Sequence, residues 1–384
     1  MEPNKVKCFV KAQAPVNIAV IKYWGKKDEL LKIPINDSLS GTLSIDDMCT
    51  TTCVYLSEQL DEDELILNDK KQSLTSDESP ARKMLQDLRD ISKQKVANQD
   101  YSRAKVRIIS HNNFPTAAGL ASSAAGYACL AYALGHTYGI TDTELLSRVA
   151  RKGSGSACRS LFGGFVHWSS GRDHATSMAS QVANHQHWPE MRVVICVAND
   201  GVKDVSSSYG MARSVESSEL LKYRSESIVP KRISAIKEAI LKRDFERFAD
   251  ITMQDSNQFH AICLDTYPPI FYLNETSKQI IKICSTINEF YGSNRVAYTF
   301  DAGPNACIYL LEECVSEFIE AVRCFFPSEK LEIRGKSHSE SALDNRLKER
   351  LLSNVCQIPN GVKYIINTSI GDGPKLLECT REEQ

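Results

Sequence analysis

The chain has 384 residues, of which 42% are hydrophobic and 24% are charged, and its formal net charge is −2. This balance is typical of a globular protein and shows no basic stripe of the kind that nucleic-acid-binding proteins carry. No run approaches the roughly 18 apolar residues of a membrane span. The N-terminus lacks the apolar core of a signal peptide. Thirteen scattered cysteines without a Cys-x-x-Cys predict reduced thiols in a cytoplasmic enzyme, with neither a disulfide framework nor a zinc site.

Secondary structure was predicted from side-chain type and periodicity. The predicted strands, rich in β-branched and aromatic residues, are 5–12, 105–110, 192–198, 295–302, 306–311 and 362–368. The predicted helices are 118–138, 141–152, 232–251, 276–292 and 314–326. Thr141 and Glu144 form a capping-box pattern at the start of the second helix. Strands and helices interleave without a regular βαβ rhythm, which predicts an α+β fold. The segment near 185–195 separates two halves that each show strand and helix patterns. This separation predicts two domains, 1–190 and 191–384.

A run of small residues, NFPTAAGLASSAAG, occupies positions 113–126. It lies between a predicted strand and a predicted helix, where unpaired N–H groups of the first helical turn can bind an anion. Small side chains let a phosphate approach this backbone closely, and Ser122 and Ser123 add hydroxyl donors. The alternative interpretation is a tight helix–helix contact between small residues.

A second glycine-rich segment, ARKGSGSACRSLFGG, covers residues 150–164 and contains Arg159 in its centre. A guanidinium among small residues is suited to binding a carboxylate or a phosphate in its planar fork. The alternative is an ordinary glycine-rich turn with an internal ion pair.

The segment APVNIAVIKYWGKKD, residues 14–28, places Asn17 in an apolar strand with Lys22, Tyr23 and Lys26 behind it. Lysines in this position could line a site for a polyanion. The alternative is a strand end with solvated lysines.

Two further segments carry polar residues directly after, or shortly after, predicted strands. In YTFDAGPNA, residues 298–306, Asp301 ends an apolar strand, and loops at such ends often present functional side chains. The same Asp-x-Gly-Pro pattern also makes a good turn. In DVSSSYGM, residues 204–211, three serines could donate to phosphate oxygens or could cap the next helix.

Five segments, in this order along the chain, resemble the mevalonate diphosphate decarboxylase family of the GHMP kinase superfamily: APVNIAVIKYWGK, NNFPTAAGLASSAAG, GSGSACRSLFGG, MQDSNQFHAICLDTYPPI and AYTFDAGPNA. The resemblance implies a two-lobed α+β fold, in which each lobe is a mostly antiparallel sheet covered by helices and the active site lies in the cleft between them. The N-terminal domain would bind ATP, and the C-terminal domain would be of the GHMP type.

The resemblance also implies a reaction. Mevalonate 5-diphosphate would be converted with ATP and Mg2+ to isopentenyl diphosphate, CO2, ADP and phosphate through phosphorylation of the tertiary 3-hydroxyl, in isoprenoid and sterol biosynthesis. The enzyme would be a cytoplasmic homodimer without a nucleic-acid or membrane partner. No residue is assigned as a ligand of Mg2+.

By the same resemblance, individual residues acquire expected roles. Asp301 would lie at the tertiary hydroxyl with Lys22 beside it, and would act either as a base or by charge and position. Arg159, supported by Asn17, would bind the substrate carboxylate, and Ser122 would lie at the transferred phosphate. The expected ATP contacts are Ser110, Asn112, Pro115, Ala118, Gly119, Leu120, Ala121, Ser122 and Ser123. The expected substrate contacts are Tyr23, Lys26, Arg82, Ser156, Arg159 and Ser207.

Two other functions compete with this interpretation. One is a kinase of the same superfamily, such as a mevalonate-phosphate kinase, that stops at a phosphorylated product. The other is a non-catalytic ligand sensor on the same scaffold. The joint presence of Arg159, Lys22 and Asp301 favours the decarboxylase over both.

Overall fold

The computed structural model describes residues 6–74, 76, 79–95, 101, 104–114, 122–199, 201, 204–339 and 342–382. Their strands form four sheets with mostly antiparallel pairing, and helices cover the sheet faces, so the predicted α+β class is confirmed. In the described part of the chain, no helix is both long and apolar enough to cross a membrane. All thirteen cysteines are free thiols.

The first sheet has six strands, in the spatial order β17-β1-β6-β9-β7-β8. Alternate residues of β1 are buried, as expected for a strand with one face on a core. That face packs against three helices, which together with the sheet enclose an apolar core. The strands are β1 (Cys8–Pro15), β6 (Cys49–Ser57), β7 (Glu64–Leu67), β8 (Lys70–Gln72), β9 (Lys105–Asn112) and β17 (Lys375–Arg381). The helices are α1 (Pro80–Lys95), α2 (Ser122–Thr137) and α3 (Thr143–Gly153).

The second sheet has four strands in the order β11-β10-β5-β2, and every residue of β2, β5 and β10 is buried. A 3-10 helix, Gly155–Leu161, lies against it, and a short two-stranded ribbon follows β2. The strands of this sheet are β2 (Asn17–Ile21), β5 (Ser38–Thr42), β10 (Phe165–Trp168) and β11 (Ala179–Ala183). The ribbon consists of β3 (Lys26–Asp28) and β4 (Ile33–Pro34).

The third sheet has five strands in the order β13-β14-β12-β16-β15 and carries cores on both faces. The strands are β12 (Met191–Val197), β13 (Val296–Phe300), β14 (Ala306–Leu311), β15 (Glu332–Gly335) and β16 (Tyr364–Ser369). The helices of this half are α4 (Ser207–Ser217), α5 (Glu219–Tyr223), α6 (Val229–Lys242), α7 (Phe245–Asp265), α8 (Glu275–Tyr291), α9 (Val315–Phe325) and α10 (Asn345–Asn354).

One core connects the second and third sheets, and it positions the site. Val193, Ile195 and Val197 of β12 point into this core, together with residues of β2, β5, α6 and α7. A hydrogen bond reinforces the contact: the hydroxyl of Tyr309 on β14 donates to the carbonyl oxygen of Ile18 on β2 at 2.9 Å. The ends of β2 and β13 therefore lie side by side, although they are far apart in sequence.

The predicted strands are confirmed within a few residues, and the helix predicted over 276–292 ends, as expected, at Gly292 with a φ of 64°. The single helix predicted over 232–251 is wrong. The chain breaks at Arg243, whose φ is 54°, and Asp244 caps a new helix by accepting a hydrogen bond from the N–H of Arg247 at 3.0 Å.

The capping residue of α3 also differs from the prediction. Asp142, and not Thr141, caps this helix, because its carboxylate accepts a hydrogen bond from the N–H of Leu145 at 3.1 Å. Near the end of the chain, β17 pairs with β1, so residues of the second half complete the first sheet. The division into 1–190 and 191–384 stays a prediction.

Candidate active site

Lys22 and Asp301 form an ion pair where the second and third sheets meet. Lys22 directly follows β2, and Asp301 directly follows β13. The Nζ atom of Lys22 lies 2.6 Å from Oδ1 of Asp301. The side chain of Lys22 is 3% exposed and that of Asp301 is 28% exposed, so the carboxylate keeps one open side on which a substrate can bind. The alternative of a solvated lysine at this strand end is wrong for Lys22.

The backbone of Lys22 is fixed by a buried ion pair. Its N–H donates to Oδ2 of Asp255 on α7 at 2.8 Å, and its carbonyl oxygen accepts from Arg224 at 3.1 Å. Arg224 and Asp255 make two further hydrogen bonds to each other, at 2.7 and 2.9 Å, and both side chains are fully buried. Asn36 donates to the same carbonyl oxygen at 3.0 Å. Position 22 is therefore held rigidly while its ammonium group points at Asp301.

No role was predicted for Asp255 or Arg224 from the sequence. A signal was present, because Asp255 lies between Ile251 and Phe259 on the buried face of α7, with i, i+4 spacing. A carboxylate on an apolar helix face needs a buried cationic partner. The sequence does not show which cation it is, since Arg224 lies on a separate element, the π-helical turn Arg224–Ile228 between α5 and α6.

Arg159 is buried and points into the same region. It lies in the 3-10 helix Gly155–Leu161 and is 3% exposed. Its Nη1 donates to Oγ of Ser38 at 2.6 Å, and its Nε donates to Oγ of Ser40 at 2.9 Å. The guanidinium also lies 5.7 Å from the ring centroid of Trp168.

Among the described residues, no carboxylate lies within the 4.0 Å of Arg159 that would make an ion pair. Burial lowers the pKa of Arg159, and the more distant charge of Asp301 acts in the opposite direction. The alternative of a turn with an internal ion pair is therefore wrong in the described part of the chain. A buried guanidinium bonded only to neutral groups is suited to an incoming anion.

Asn17 connects Arg159 to the 3-10 helix. Its Oδ1 accepts from Nε of Arg159 at 3.1 Å. Its Nδ2 donates to Oγ of Ser160 at 2.8 Å and to the backbone oxygen of Ser156 at 3.1 Å. Asn17 is buried, so this network orients the guanidinium before any ligand binds.

Tyr23 and Lys26 extend the site along the ribbon. The ring of Tyr23 lies 4.8 Å from that of Trp168, measured between centroids. Within the described residues the buried Tyr23 hydroxyl has no hydrogen-bond partner, and burial raises its pKa. The Nζ atom of Lys26 lies 2.7 Å from Oε2 of Glu29, and the lysine side chain is almost entirely buried.

The structure tests the predicted ATP loop only at its two ends. Pro115, Ala118, Gly119, Leu120 and Ala121 lie outside the described residues. The remaining predicted contacts flank this gap, at the end of β9 and the start of α2: Ser110, Asn112, Ser122 and Ser123.

The side chains at the end of β9 have partners within the sheet. The hydroxyl oxygen of Ser110 lies 3.0 Å from that of Thr52, and Oδ1 of Asn112 accepts from Thr50 at 2.6 Å. Ser122 is the first residue of α2, where N–H groups without intrahelical partners favour a negative charge.

The other predicted substrate contacts start helices or short helical turns. Arg82 is exposed near the start of α1, and its Nη1 donates to the carbonyl oxygen of Leu74 at 3.3 Å. Ser156 is half-buried in the 3-10 helix. Ser207 is the first residue of α4, for which Ser206 is the N-cap, in agreement with the capping alternative for this segment. A role of Ser207 toward phosphate stays a prediction.

Two family sequence models match this chain, and together they cover most of its length. The sequence model of the diphosphomevalonate decarboxylase-like N-terminal domain matches residues 14–179, and that of the mevalonate 5-diphosphate decarboxylase C-terminal domain matches residues 193–377. The chain belongs to the mevalonate 5-diphosphate decarboxylase family. Diphosphomevalonate decarboxylase of Danio rerio is 49% identical to it over 378 residues, which cover 96% of this chain and 93% of the relative.

Solved structures agree with this assignment. Mevalonate diphosphate decarboxylase from Trypanosoma brucei superimposes with a TM-score of 0.84 at 36% identity, covering 96% of this chain and 98% of that one. A solved MDDEF structure in complex with MVAPP, AMPPCP and magnesium gives a TM-score of 0.73 at 32% identity, covering 96% of this chain and 99% of that one. The decarboxylase family and its α+β fold, both predicted from the five segments, are thus confirmed.

Proposed function

We propose that this family member catalyses the ATP-dependent decarboxylation of (R)-5-diphosphomevalonate to isopentenyl diphosphate, with release of CO2, ADP and phosphate, in isoprenoid and sterol biosynthesis. The observation that carries the proposal is the pairing of two features in one site. The Lys22–Asp301 pair offers a half-open carboxylate, and the nearby Arg159 is a buried cation that has no carboxylate partner among the described residues.

The chemistry of the substrate requires both features. Its carboxylate is β to a tertiary hydroxyl, and no carbonyl is present to accept the electrons of the breaking C–C bond. Decarboxylation must therefore be coupled to departure of the C3 oxygen, and hydroxide is a poor leaving group. Phosphorylation by ATP converts that oxygen into phosphate. When the C3–O bond breaks, its electron pair leaves with phosphate. The C1–C2 bond then breaks, C1 departs as CO2, and the electron pair of that bond forms the C2=C3 double bond.

Asp301 and Lys22 act on the hydroxyl. In this proposal the open oxygen of Asp301 accepts a hydrogen bond from the hydroxyl and orients it toward the phosphoryl group. Phosphoryl transfer through a loose transition state depends mainly on position and charge, so Asp301 acts either as a base or as an orienting anion. Lys22 holds the carboxylate in place and stabilises negative charge that develops on the transferred group.

Arg159 and Asn17 act on the substrate carboxylate. Because Arg159 is buried and fixed by three neutral acceptors, a bound carboxylate would gain a charge-assisted hydrogen bond without reorganisation of the site. The diphosphate is assigned to Tyr23, Lys26, Arg82, Ser156 and Ser207.

ATP is assigned to the loop 113–126 and the N-terminus of α2, with Ser122 at the transferred phosphate and Ser110, Asn112 and Ser123 nearby. Within the described residues, no group of three or more His, Cys, Asp or Glu side chains could hold a metal ion. Mg2+ commonly keeps several waters and binds phosphate oxygens with few protein ligands, which fits this inventory. An ion bound in that way would neutralise charge on the nucleotide phosphates.

We further propose a homodimer, on the basis of exposed apolar side chains around the C-terminal end of α7. Tyr267 and Phe271 are 76% and 73% exposed, and Tyr223, Leu220 and Leu264 add to the same part of the surface. Backbone and side-chain hydrogen bonds link residue 267 to α4 and residue 265 to α5. Sedimentation equilibrium tests the proposal: Phe271→Glu should convert a dimer into monomers, and a monomeric wild type would refute it.

Domain limits and compartment are also proposals. Residues 1–190 and 191–384 form the two domains, with β17 returning to the first. Free thiols at all thirteen cysteines support the cytoplasm as the compartment. Fractionation of cells that express the chain would check this.

The decisive experiment measures three products at once. Purified protein with ATP, Mg2+ and mevalonate 5-diphosphate should release CO2, ADP and phosphate in equal amounts. ADP without CO2 would identify a kinase instead. Substrate-dependent ATP turnover would exclude a ligand sensor.

A further inference from the structure

Lys32 lies in the turn of the β3–β4 ribbon and points toward the end of α3. Its φ is 49°, in the left-handed region that non-glycine residues adopt infrequently. Two hydrogen bonds at Leu31 fix the turn: its N–H donates to Asp28 at 2.7 Å, and its carbonyl oxygen accepts from Arg151 at 3.1 Å. The Nζ atom of Lys32 donates to the carbonyl oxygen of Gly153, the last residue of α3.

The surroundings of this ammonium group are unusually positive. Burial and the charges of Lys26 and Lys83 lower the pKa of Lys32 to about 8, and Glu29 acts in the opposite direction. Glu29 is already paired with Lys26. In the described part of the chain, no carboxylate lies within 4.0 Å of Nζ of Lys32. Two of the three charged side chains that shift the pKa of Lys32 are thus lysines, and the one carboxylate among them already has a partner.

Lys32 also keeps hydrogen-bonding capacity. An ammonium group has three N–H donors. One is used on Gly153, and the ring of Tyr127, 5.9 Å from Nζ, faces another side of the group. No further hydrogen-bond acceptor of Lys32 is present among the described residues, so the third donor remains for a ligand.

The lysine cluster is continuous with the active site. Gly153 lies just before the 3-10 helix that carries Arg159. A Cβ atom placed on Gly155 would lie only 2.9 Å from the unpartnered hydroxyl of Tyr23, so the tyrosine bridges the two regions. One end of the site therefore has a buried guanidinium, and the other has several ammonium groups. The proposed substrate likewise has one carboxylate end and one diphosphate end.

We propose that Lys32 is a further ligand of the substrate diphosphate, acting beside Lys26. This inference rests on the proposed function, because it takes the substrate from there. A diphosphate would supply an anionic partner for Lys32, which has no carboxylate within 4.0 Å among the described residues. It would also supply an oxygen acceptor for the N–H group of Lys32 that faces neither Gly153 nor the ring of Tyr127.

A purely structural role makes a different prediction. A cation at the C-terminal end of a helix stabilises the helix dipole, and Lys32 has that relationship to α3. If this were its whole function, removing the charge would lower the melting temperature and leave substrate affinity unchanged.

The test uses the full chain and three variants. Lys32→Met should raise the KM for mevalonate 5-diphosphate about tenfold and change kcat little. A tenfold change in KM is the effect expected from the loss of one charge-assisted hydrogen bond. Inhibition by inorganic pyrophosphate should weaken by a similar factor, and Lys32→Arg should restore both. The matched control is Lys27→Met, because Lys27 is an exposed neighbour that donates to the carbonyl oxygen of Gly171, and it should behave as wild type.

Proton uptake gives a second readout. At pH 8 about half of the Lys32 side chains are neutral, and a bound polyanion protonates them. Calorimetric titration with pyrophosphate in two buffers of different ionisation enthalpy should show proton uptake by the wild type and less by Lys32→Met. The charged groups that face Lys32 and share in this titration are Lys26 and Glu29 of the ribbon and Lys83 of α1.

The outcomes are separable. Unchanged KM, pyrophosphate inhibition and proton uptake in Lys32→Met, with only a lower melting temperature, would overturn the proposal. If that variant fails to fold, Lys32→Gln replaces it, since its amide can still donate to Gly153. Failure of the proposed function would appear as wild-type protein without CO2 release, and the pyrophosphate titration would still decide the role of Lys32.

Discussion

Asp255 holds Lys22 by its backbone and leaves the ammonium group of Lys22 to Asp301. The carboxylate of Asp255 accepts from the N–H of Lys22 at 2.8 Å, and Nζ of Lys22 lies 2.6 Å from Asp301. Two carboxylates thus act on one lysine in different ways. Asp255 fixes the position of the Lys22 backbone. Asp301 pairs with the ammonium group of Lys22 at the side of the site that is open to a substrate.

Asp255→Asn should destabilise the protein and slow the reaction. The substitution leaves the guanidinium of Arg224 buried without its counter-ion, and breaking such a pair lowers the free energy of unfolding by about 3–5 kcal/mol. We expect kcat to fall as well, because the amide keeps one acceptor oxygen for donors that share two in Asp255, and the Lys22 N–H is one of these donors. Denaturant unfolding and steady-state kinetics measure the two effects.

The control for this variant is Glu238→Gln, which removes the exposed Lys242–Glu238 pair on α6. It should change the free energy of unfolding by less than about 1 kcal/mol. Wild-type stability and turnover in Asp255→Asn would show that this pair does not hold Lys22.

Asp301→Asn should lower kcat by roughly 100- to 10,000-fold, the scale of a positioned acid–base group. The amide keeps the shape of the carboxylate but removes the charge that faces Lys22. Single-turnover measurement of ADP and CO2 would show whether phosphoryl transfer is the step that slows. A melting curve confirms that the variant is folded, and near wild-type turnover would remove Asp301 from the mechanism.

Arg159→Lys should lower kcat/KM for mevalonate 5-diphosphate by about 10- to 100-fold, the loss of a hydrogen bond to a charged group. The guanidinium reaches Ser38, Ser40 and Asn17 in fixed directions, and a lysine has no planar fork to do so. KM for ATP should change less. Arg323→Lys on α9, whose partner Glu320 lies one helical turn away, is the control.

Asp37→Asn should give a stability loss that depends on pH. Burial would raise the pKa of Asp37, but hydrogen bonds from His167 and Ser170 outweigh it and lower the pKa to about 2. A carboxylate with a depressed native pKa stabilises the fold above its unfolded pKa, and this stabilisation disappears as the pH falls through the native value.

The shift from an ordinary value of 3.8 corresponds to about 2 kcal/mol at pH 6. The difference between wild type and Asp37→Asn in urea unfolding should start to shrink below about pH 5 and should be lost at about pH 1, below both pKa values. A difference that stays constant over this range would mean that the charge of Asp37 is not the stabilising feature.

Much of the site could be predicted from the sequence because its residues lie next to strand ends. Lys22 and Asp301 each follow a short apolar strand, and β-branched residues identify such strands well. That Lys22 lies beside Asp301 was expected only from the resemblance to a known family. No periodicity in the sequence shows that the ends of β2 and β13 lie side by side, since that contact depends on the core between two sheets.

The errors have physical causes that a local pattern does not reveal. The helical spacing of apolar residues continues across Arg243, so the sequence predicts one helix where two exist. The break occurs at Arg243, a non-glycine residue whose backbone is in the left-handed region, and no glycine marks this position in the sequence. Asp142 and Thr141 are both good caps, and packing selects between them. The Arg224–Asp255 pair joins two helical elements, and their relative placement is a tertiary property.

The pairing of β17 with β1 has a consequence for synthesis of the chain. The strand β1 ends at Pro15, and its partner starts only at Lys375. While a ribosome makes the residues between them, β1 has an open edge, and unpaired sheet edges promote aggregation. The first sheet is thus completed only after nearly the whole polypeptide has emerged, so a nascent chain of this protein should depend on chaperones for most of its translation.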